Sequence, residues 1–183
     1  MLIDDIRRLY EELRKEKRAQ FDRDLPFEEL LFDRWERAKS LGFGGGSSIY
    51  HSAYVFGDVK VGKMTWIGMF VILDGGGGLE IGDYCSISAG VQIYTHDSVR
   101  WAVSGSKHEY EQAAVKIGDC CHVGAQSVIA KGVTIGEHSI VAACSFVRNN
   151  VPPNTIVSGN PARAIGRVLV DGKEVRYAIK DSL

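Results

Sequence analysis

Aliphatic residues recur every six positions through most of this chain, a period that fits neither a helix nor an alternating strand. Ile49, Val55, Val61, Ile67 and Leu73 are evenly spaced. After a two-residue insertion the series resumes at Ile81, Ile87 and Ile93, and it returns at Ile117, Val123, Ile129, Ile135, Val141 and Val147. Glycine follows the aliphatic at Gly62, Gly68, Gly82, Gly118, Gly124 and Gly136. Four residues after the aliphatic stands a small or β-branched side chain, as at Ala53, Val59, Thr65, Val71, Cys85, Val91, Cys121 and Ser127. On a helix, residues six apart point about 120° away from any common stripe.

Repeats of this kind read as stacked units that bury a continuous core only together. Each hexad is expected to be one short flat strand and one corner, and three hexads to make a coil of about 18 residues. The aliphatic side chain fills the axis and the small residue fits beside it. Glycine or another small residue is expected to relieve the corner, where φ can turn positive. Parallel strands of successive coils then pair about 4.8 Å apart, so the repeats give four to five coils, or roughly 20–25 Å of prism. The fold class expected is mainly β, a parallel β-helix.

The flanks follow other rules. Residues 1–41 read as helical: Leu2, Ile6, Leu9, Tyr10 and Leu13 form a stripe at helical spacing. A second helix is expected from Pro26, a good first-turn residue, carrying Leu30, Leu31, Trp35 and Ala38. These helices are expected to cover an open end or side of the prism, which otherwise exposes a sheet edge; a partner-binding role is the alternative. Residues 42–166 form the β-helix, with an excursion over 97–114. Residues 167–183 form a tail in which Asp171-Gly172-Lys173, between alternating runs, signals a hairpin.

Composition narrows the function classes. The 183 residues suffice for one domain. A net charge of −1 gives no field favouring nucleic acid or an anionic membrane. No apolar run approaches the ~20 residues of a membrane span, and the charged start of the chain is unlike a signal peptide, so the cytoplasm is expected. Cys85, Cys120, Cys121 and Cys144 lack metal-site spacing and read as small packing residues.

The repeat breaks once at length, between Ile93 and Ile117. Long loops in compact domains are usually functional, and a stacked prism accepts an insertion only outward. His96 opens this excursion and is the candidate catalytic base, with Asp97 beside it as a candidate substrate-binding residue. Without the two-residue insertion in the glycine-rich run 73–80, Leu73 and Ile93 stack in adjacent coils. Asp74 and His96 then project near one corner. Asp74 is expected to orient the imidazole or bind a substrate hydroxyl, or else to satisfy turn amides.

The run IGDYCSISAGVQI, followed by YTHDS, the excursion, and VKIGDCCHVGAQSVIAKGVTIGEHSIVAACSFVRNNVPPNTIVSGNPARAI, resembles the hexapeptide-repeat O-acetyltransferases over about residues 60–167. It looks most like the galactoside and maltose acetyltransferase branch and its cell-surface-polysaccharide relatives. The resemblance implies a left-handed β-helix, a homotrimer with a site between adjacent prisms, and acetyl-CoA as co-substrate without a metal. It implies a sugar or sugar-nucleotide acceptor, O- or N-acetylated, with His96 as general base and direct attack on the thioester. By motif position Ala125 and Ala143 offer backbone groups to the pantetheine arm; they lie one coil apart and so stack. Arg163 matches a basic residue near the coenzyme phosphates, and Arg148 takes the place of a basic residue one position away. His122 stands where relatives carry Trp. Two other readings use the same prism: a γ-carbonic-anhydrase-like hydratase with zinc on His96, His122 and His138, and a non-catalytic trimeric scaffold.

Overall fold

The computed structural model describes residues 2–179, so the last residues of the expected tail, 180–183, lie outside it. The chain folds as the left-handed parallel β-helix expected from the repeat, and the axis is filled by the six-residue series. On the first face, the strands Ser48–Ile49, Trp66–Ile67, Ser86–Ile87, His122–Val123, Ile140–Val141 and Thr155–Gly159 pair in parallel. Ile49, Ile67, Ile87, Val123 and Val141 stand above one another there, each at most 1% exposed. The second face stacks Val55, Leu73, Ile93, Ile129 and Val147. The third stacks Val61, Ile81, Ile117 and Ile135, closed by a bridge to Val151. Six rungs on the first face, at the spacing of parallel strands, make a prism about 24 Å long.

The small side chains at the fourth step serve the backbone as well as the packing. Thr65 Oγ1 donates to Gly82 O (2.8 Å) and accepts from the Cys85 amide (2.9 Å). Ser127 Oγ donates to Ala142 O (3.0 Å) and accepts from the Ser145 amide (3.2 Å). These buried hydroxyls tie one coil to the next at corners where strand pairing stops. Cys85 and Cys121 hold equivalent places, their thiols reaching Gly118 O and Gly136 O. Cys120 and Cys144 depart from the packing role expected of them, being exposed at corners.

Glycine stands at positive φ at the corners of Gly90 and Gly132, as expected, but most corners place other residues there. Positive φ falls three residues after the aliphatic, on Met64 (+55°), Tyr84 (+56°), Cys120 (+58°), His138 (+55°) and Asn154 (+57°) along one edge. The glycine directly after the aliphatic is required by contact. A Cβ on Gly118 would sit 2.7 Å from the Glu137 amide nitrogen, and one on Gly124 would sit 2.5 Å from that of Ala143.

At the amino-terminal end the expected second helix is two helices. After α1 (Leu2–Phe21) come α2 (Phe27–Leu31) and α3 (Arg34–Ser40). Phe32 between them is extended, and the Asp33 carboxylate accepts from the Trp35 and Glu36 amides, so it starts a new helix. Pro26 precedes the first turn of α2 instead of lying in it. Covering of the prism end falls to α2 and α3. Ala38 joins the core, Arg37 donates to the carbonyls of Tyr50 and Ala53, and Glu29 accepts from the Ser52 amide. α1 contributes no buried residue; its contacts with the following segment include Tyr10 against Phe27 and Arg14 on Asp24. No helix among the described residues is long and apolar enough to cross a membrane. The carboxy-terminal hairpin pairs Ala162–Asp171 with Glu174–Ile179 around Gly172-Lys173.

Candidate active site

The glycine-rich run after Leu73 is a bulge. Its strand, Ile72–Ile81, pairs Gly57 with Gly75 and then Val59 with Leu79, which leaves two extra residues on one side. The bulge lies against the corner after Ile93 so closely that a Cβ on Gly77 would sit 2.6 Å from Thr95 O. The Gly77 amide donates to Thr95 Oγ1 (2.8 Å), and that hydroxyl donates to Asp74 O (2.9 Å).

Asp74 is only 4% exposed, and both its oxygens are engaged. Oδ1 accepts from the Gly76 amide (3.0 Å). Oδ2 accepts from the Thr95 amide (2.8 Å) and lies 2.6 Å from His96 Nδ1. Burial disfavours its charge, but the Gly76 and Thr95 amides and the imidazole outweigh that and hold the carboxyl below the ordinary aspartate range. An ionised Asp74 only accepts, so the His96 Nδ1 carries the proton of that bond, and in the neutral imidazole Nε2 has the lone pair. The His96 side chain is 46% exposed. The sequence left Asp74 between orienting an imidazole, binding substrate and satisfying turn amides. The geometry joins the first and third, with Oδ2 shared by the Thr95 amide and the imidazole and Oδ1 taken by the Gly76 amide.

His96 opens onto a concavity of about 590 Å3 on the second face, lined also by Tyr94, Asp97, Val128, Lys131, Phe146 and Arg148. Asp97 accepts from the Val99 amide (3.0 Å) at the start of α4 (Val99–Val103), and its other oxygen is 2.6 Å from Lys131 Nζ. Lys131 also reaches Glu111 (2.8 Å), whose second oxygen meets Arg100 (2.9 Å). Hydrogen bonding to Lys131 lowers the pKa of Asp97 and of Glu111, and the two carboxylates raise that of Lys131.

The expected site residues therefore divide. His96, Asp74, Asp97 and Arg148 gather at the edge between the second and third faces. Ala125 and Ala143 stack at the opposite edge, between the first and second faces, where Ala125 O accepts from the Cys144 amide (2.9 Å). Arg163 lies on the outgoing strand after the last coil, bonded to its own neighbour Ala162 O. Thr95, Lys131 and Glu111 were not read from the sequence. Pairing of Ile93 with Ile129 places Lys131 one coil above Thr95, and that register is the signal that finds it. Among the described residues no group of three or more His, Cys, Asp or Glu could hold a metal ion.

The site is thus an aspartate-held imidazole at a broken corner of the prism, beside an exposed groove. The comparisons with known proteins name its kind. The family model described as bacterial transferase hexapeptide (six repeats) matches residues 114–149. The hexapeptide-repeat-containing acetyltransferase VCA0836 of Vibrio cholerae O1 biovar eltor, solved with acetyl-CoA, superposes with a TM-score of 0.62 at 30% identity, over 92% of this chain and 90% of that one. The galactoside O-acetyltransferase of Escherichia coli K12 is 26% identical over 141 residues, 66% of this chain and 68% of that one. The putative acetyltransferase YvoF of Bacillus subtilis 168 is 33% identical over 109 residues, 58% of this chain and 59% of that one. The chain belongs to the hexapeptide-repeat acetyltransferases.

Proposed function

We propose that this protein transfers the acetyl group of acetyl-CoA to a hydroxyl or amino group of a sugar or sugar nucleotide in the cytoplasm, with His96 as general base. The observation that carries this reading is the Asp74–His96 pair, 2.6 Å apart, with His96 lining the concavity. A hydroxyl or amine attacks a thioester poorly unless its proton is taken up as the new bond forms. His96 Nε2 takes that proton while Asp74 fixes the ring and balances its positive charge. Attack on the carbonyl gives a tetrahedral oxyanion; its collapse breaks the carbon–sulfur bond, and His96 returns the proton to the departing sulfur. No side chain is needed as a covalent nucleophile. Support for the co-substrate and acceptor comes from the relatives: the Vibrio protein is described with acetyl-CoA, and the Escherichia coli protein is named for galactosides.

The division of the site argues for an assembly. His96 and the Ala125–Ala143 column lie on opposite edges of one face, so a groove lined by both needs a second prism, and three copies close a ring by cyclic symmetry. Thiol release from acetyl-CoA over a panel of sugars and amino sugars, with light scattering, tests both parts. The expected results are acceptor-dependent release and a mass of about 60 kDa, three times the 20.1 kDa chain. A concentration-independent monomer with full activity overturns the shared site.

A further inference from the structure

We propose that Lys131 is a positioning residue that holds the excursion closed beside His96, by neutralising two carboxylates that face each other across its neck. The excursion leaves and rejoins the prism through a ribbon of two residue pairs, His96 with Gln112 and Asp97 with Glu111, running antiparallel. So short a ribbon is marginal by itself. It also sets two negative charges directly opposite, an arrangement that pushes strands apart. Lys131 resolves the conflict, with Nζ 2.6 Å from Asp97 Oδ2 and 2.8 Å from Glu111 Oε2 and its side chain 24% exposed.

Its base is fixed. Ile129, two residues earlier, pairs with Ile93 in the prism, and the following Gly132 amide donates to Ala113 O (3.1 Å). Arg100 cannot replace it. That residue also neutralises Glu111, but it belongs to the excursion and cannot anchor the excursion to the prism. A single ammonium rooted in the next coil thus joins both ends of the neck, and Asp97 keeps its second oxygen for the amide that starts α4.

Loss of Lys131 is therefore expected to open the neck by charge repulsion, while Asp74 still holds the imidazole. Three full-length variants test this: Lys131→Met, Glu111→Gln, and the two combined. Amide hydrogen exchange over residues 97–112 is expected to rise on the order of tenfold in Lys131→Met. It should return most of the way in the double variant, because removing one carboxylate removes the repulsion. Added salt should shrink the single variant's effect. On the acetyltransferase reading above, kcat/KM for the acceptor falls in parallel, with acetyl-CoA affinity unchanged. Exchange in Lys131→Met equal to wild type overturns the proposal. So does a double variant as loose as the single one, which would make Lys131 matter by packing. The exchange measurement needs neither acceptor nor acetyl-CoA. A protein with the expected exchange pattern and no acetyl transfer thus supports the latch and sinks only the enzymatic reading.

Discussion

Between Ile129 and Ile135 the chain turns the edge of the prism by the shortest route the repeat allows, with Gly132 at φ +77°. One coil earlier, at the same edge, it takes the detour from Ile93 to Ile117. The short corner includes a backbone link, Gly132 N to Ala113 O, and places nothing buried and charged beside the axis. The long one is held by side chains: Asp74 beneath, Thr95 within, Lys131 above. Where the repeat is intact, backbone pairing and small buried side chains repeat one geometry from coil to coil. Where it is broken, individual carboxylates, a hydroxyl and an ammonium take over that task.

The contrast is tested most severely by His96→Ala. Loss of a general base typically lowers kcat by about 10²–10⁴. The unfolding midpoint should stay near wild type, because the imidazole is half exposed and the prism axis does not depend on it. Steady-state rates on the true acceptor alongside thermal unfolding check this; more than about a tenth of wild-type turnover moves the base elsewhere.

Asp74→Asn should act on both rate and stability. An amide in place of the carboxylate no longer enforces the Nδ1–H tautomer, and kcat should fall at least about tenfold. The folded Asp74 carboxyl titrates below its unfolded value. It therefore adds stability that is present above the unfolded-state pKa and is lost as pH falls through the folded one. Denaturant unfolding from about pH 5 downward should show a shallower acid limb in the variant than in wild type. Equal limbs would mean that the other carboxylates held low by cationic partners, Asp24, Asp97 and Glu111, carry the acid dependence.

The short corner should show the smallest effect, and in stability alone. Gly132→Ala places a side chain at positive φ, with its Cβ 3.3 Å from that of Ala113, and should cost about 1–2 kcal/mol. Denaturant midpoints measure it. A loss of turnover as large as that of Asp74→Asn would erase the distinction between the two corners.

The prism was legible because a period of six leaves few alternatives, and Asp74 and His96 were paired by counting coils around the insertion. What stayed hidden depended on contacts without a period. The break between α2 and α3 comes from one carboxylate capping two amides at Asp33, a local choice that an apolar stripe through Leu30 and Trp35 runs straight across. Lys131 escaped notice because its partners Asp97 and Glu111 belong to the excursion, whose course no repeat dictates. The glycines directly after the aliphatic, such as Gly118 and Gly124, read as turn formers although backbone contact between coils requires them, since composition alone does not separate the two demands.

The row of residues at positive φ along one edge has a use outside catalysis. Met64, Tyr84 and Cys120 are exposed there, each in a backbone conformation that costs an L-residue roughly 1–2 kcal/mol. In most proteins the positions that control stability are interior, and altering them risks the fold. Here a solvent-facing seam holds unrelieved tension at regular intervals, so the molecule has room to be made sturdier from its surface without touching core or groove.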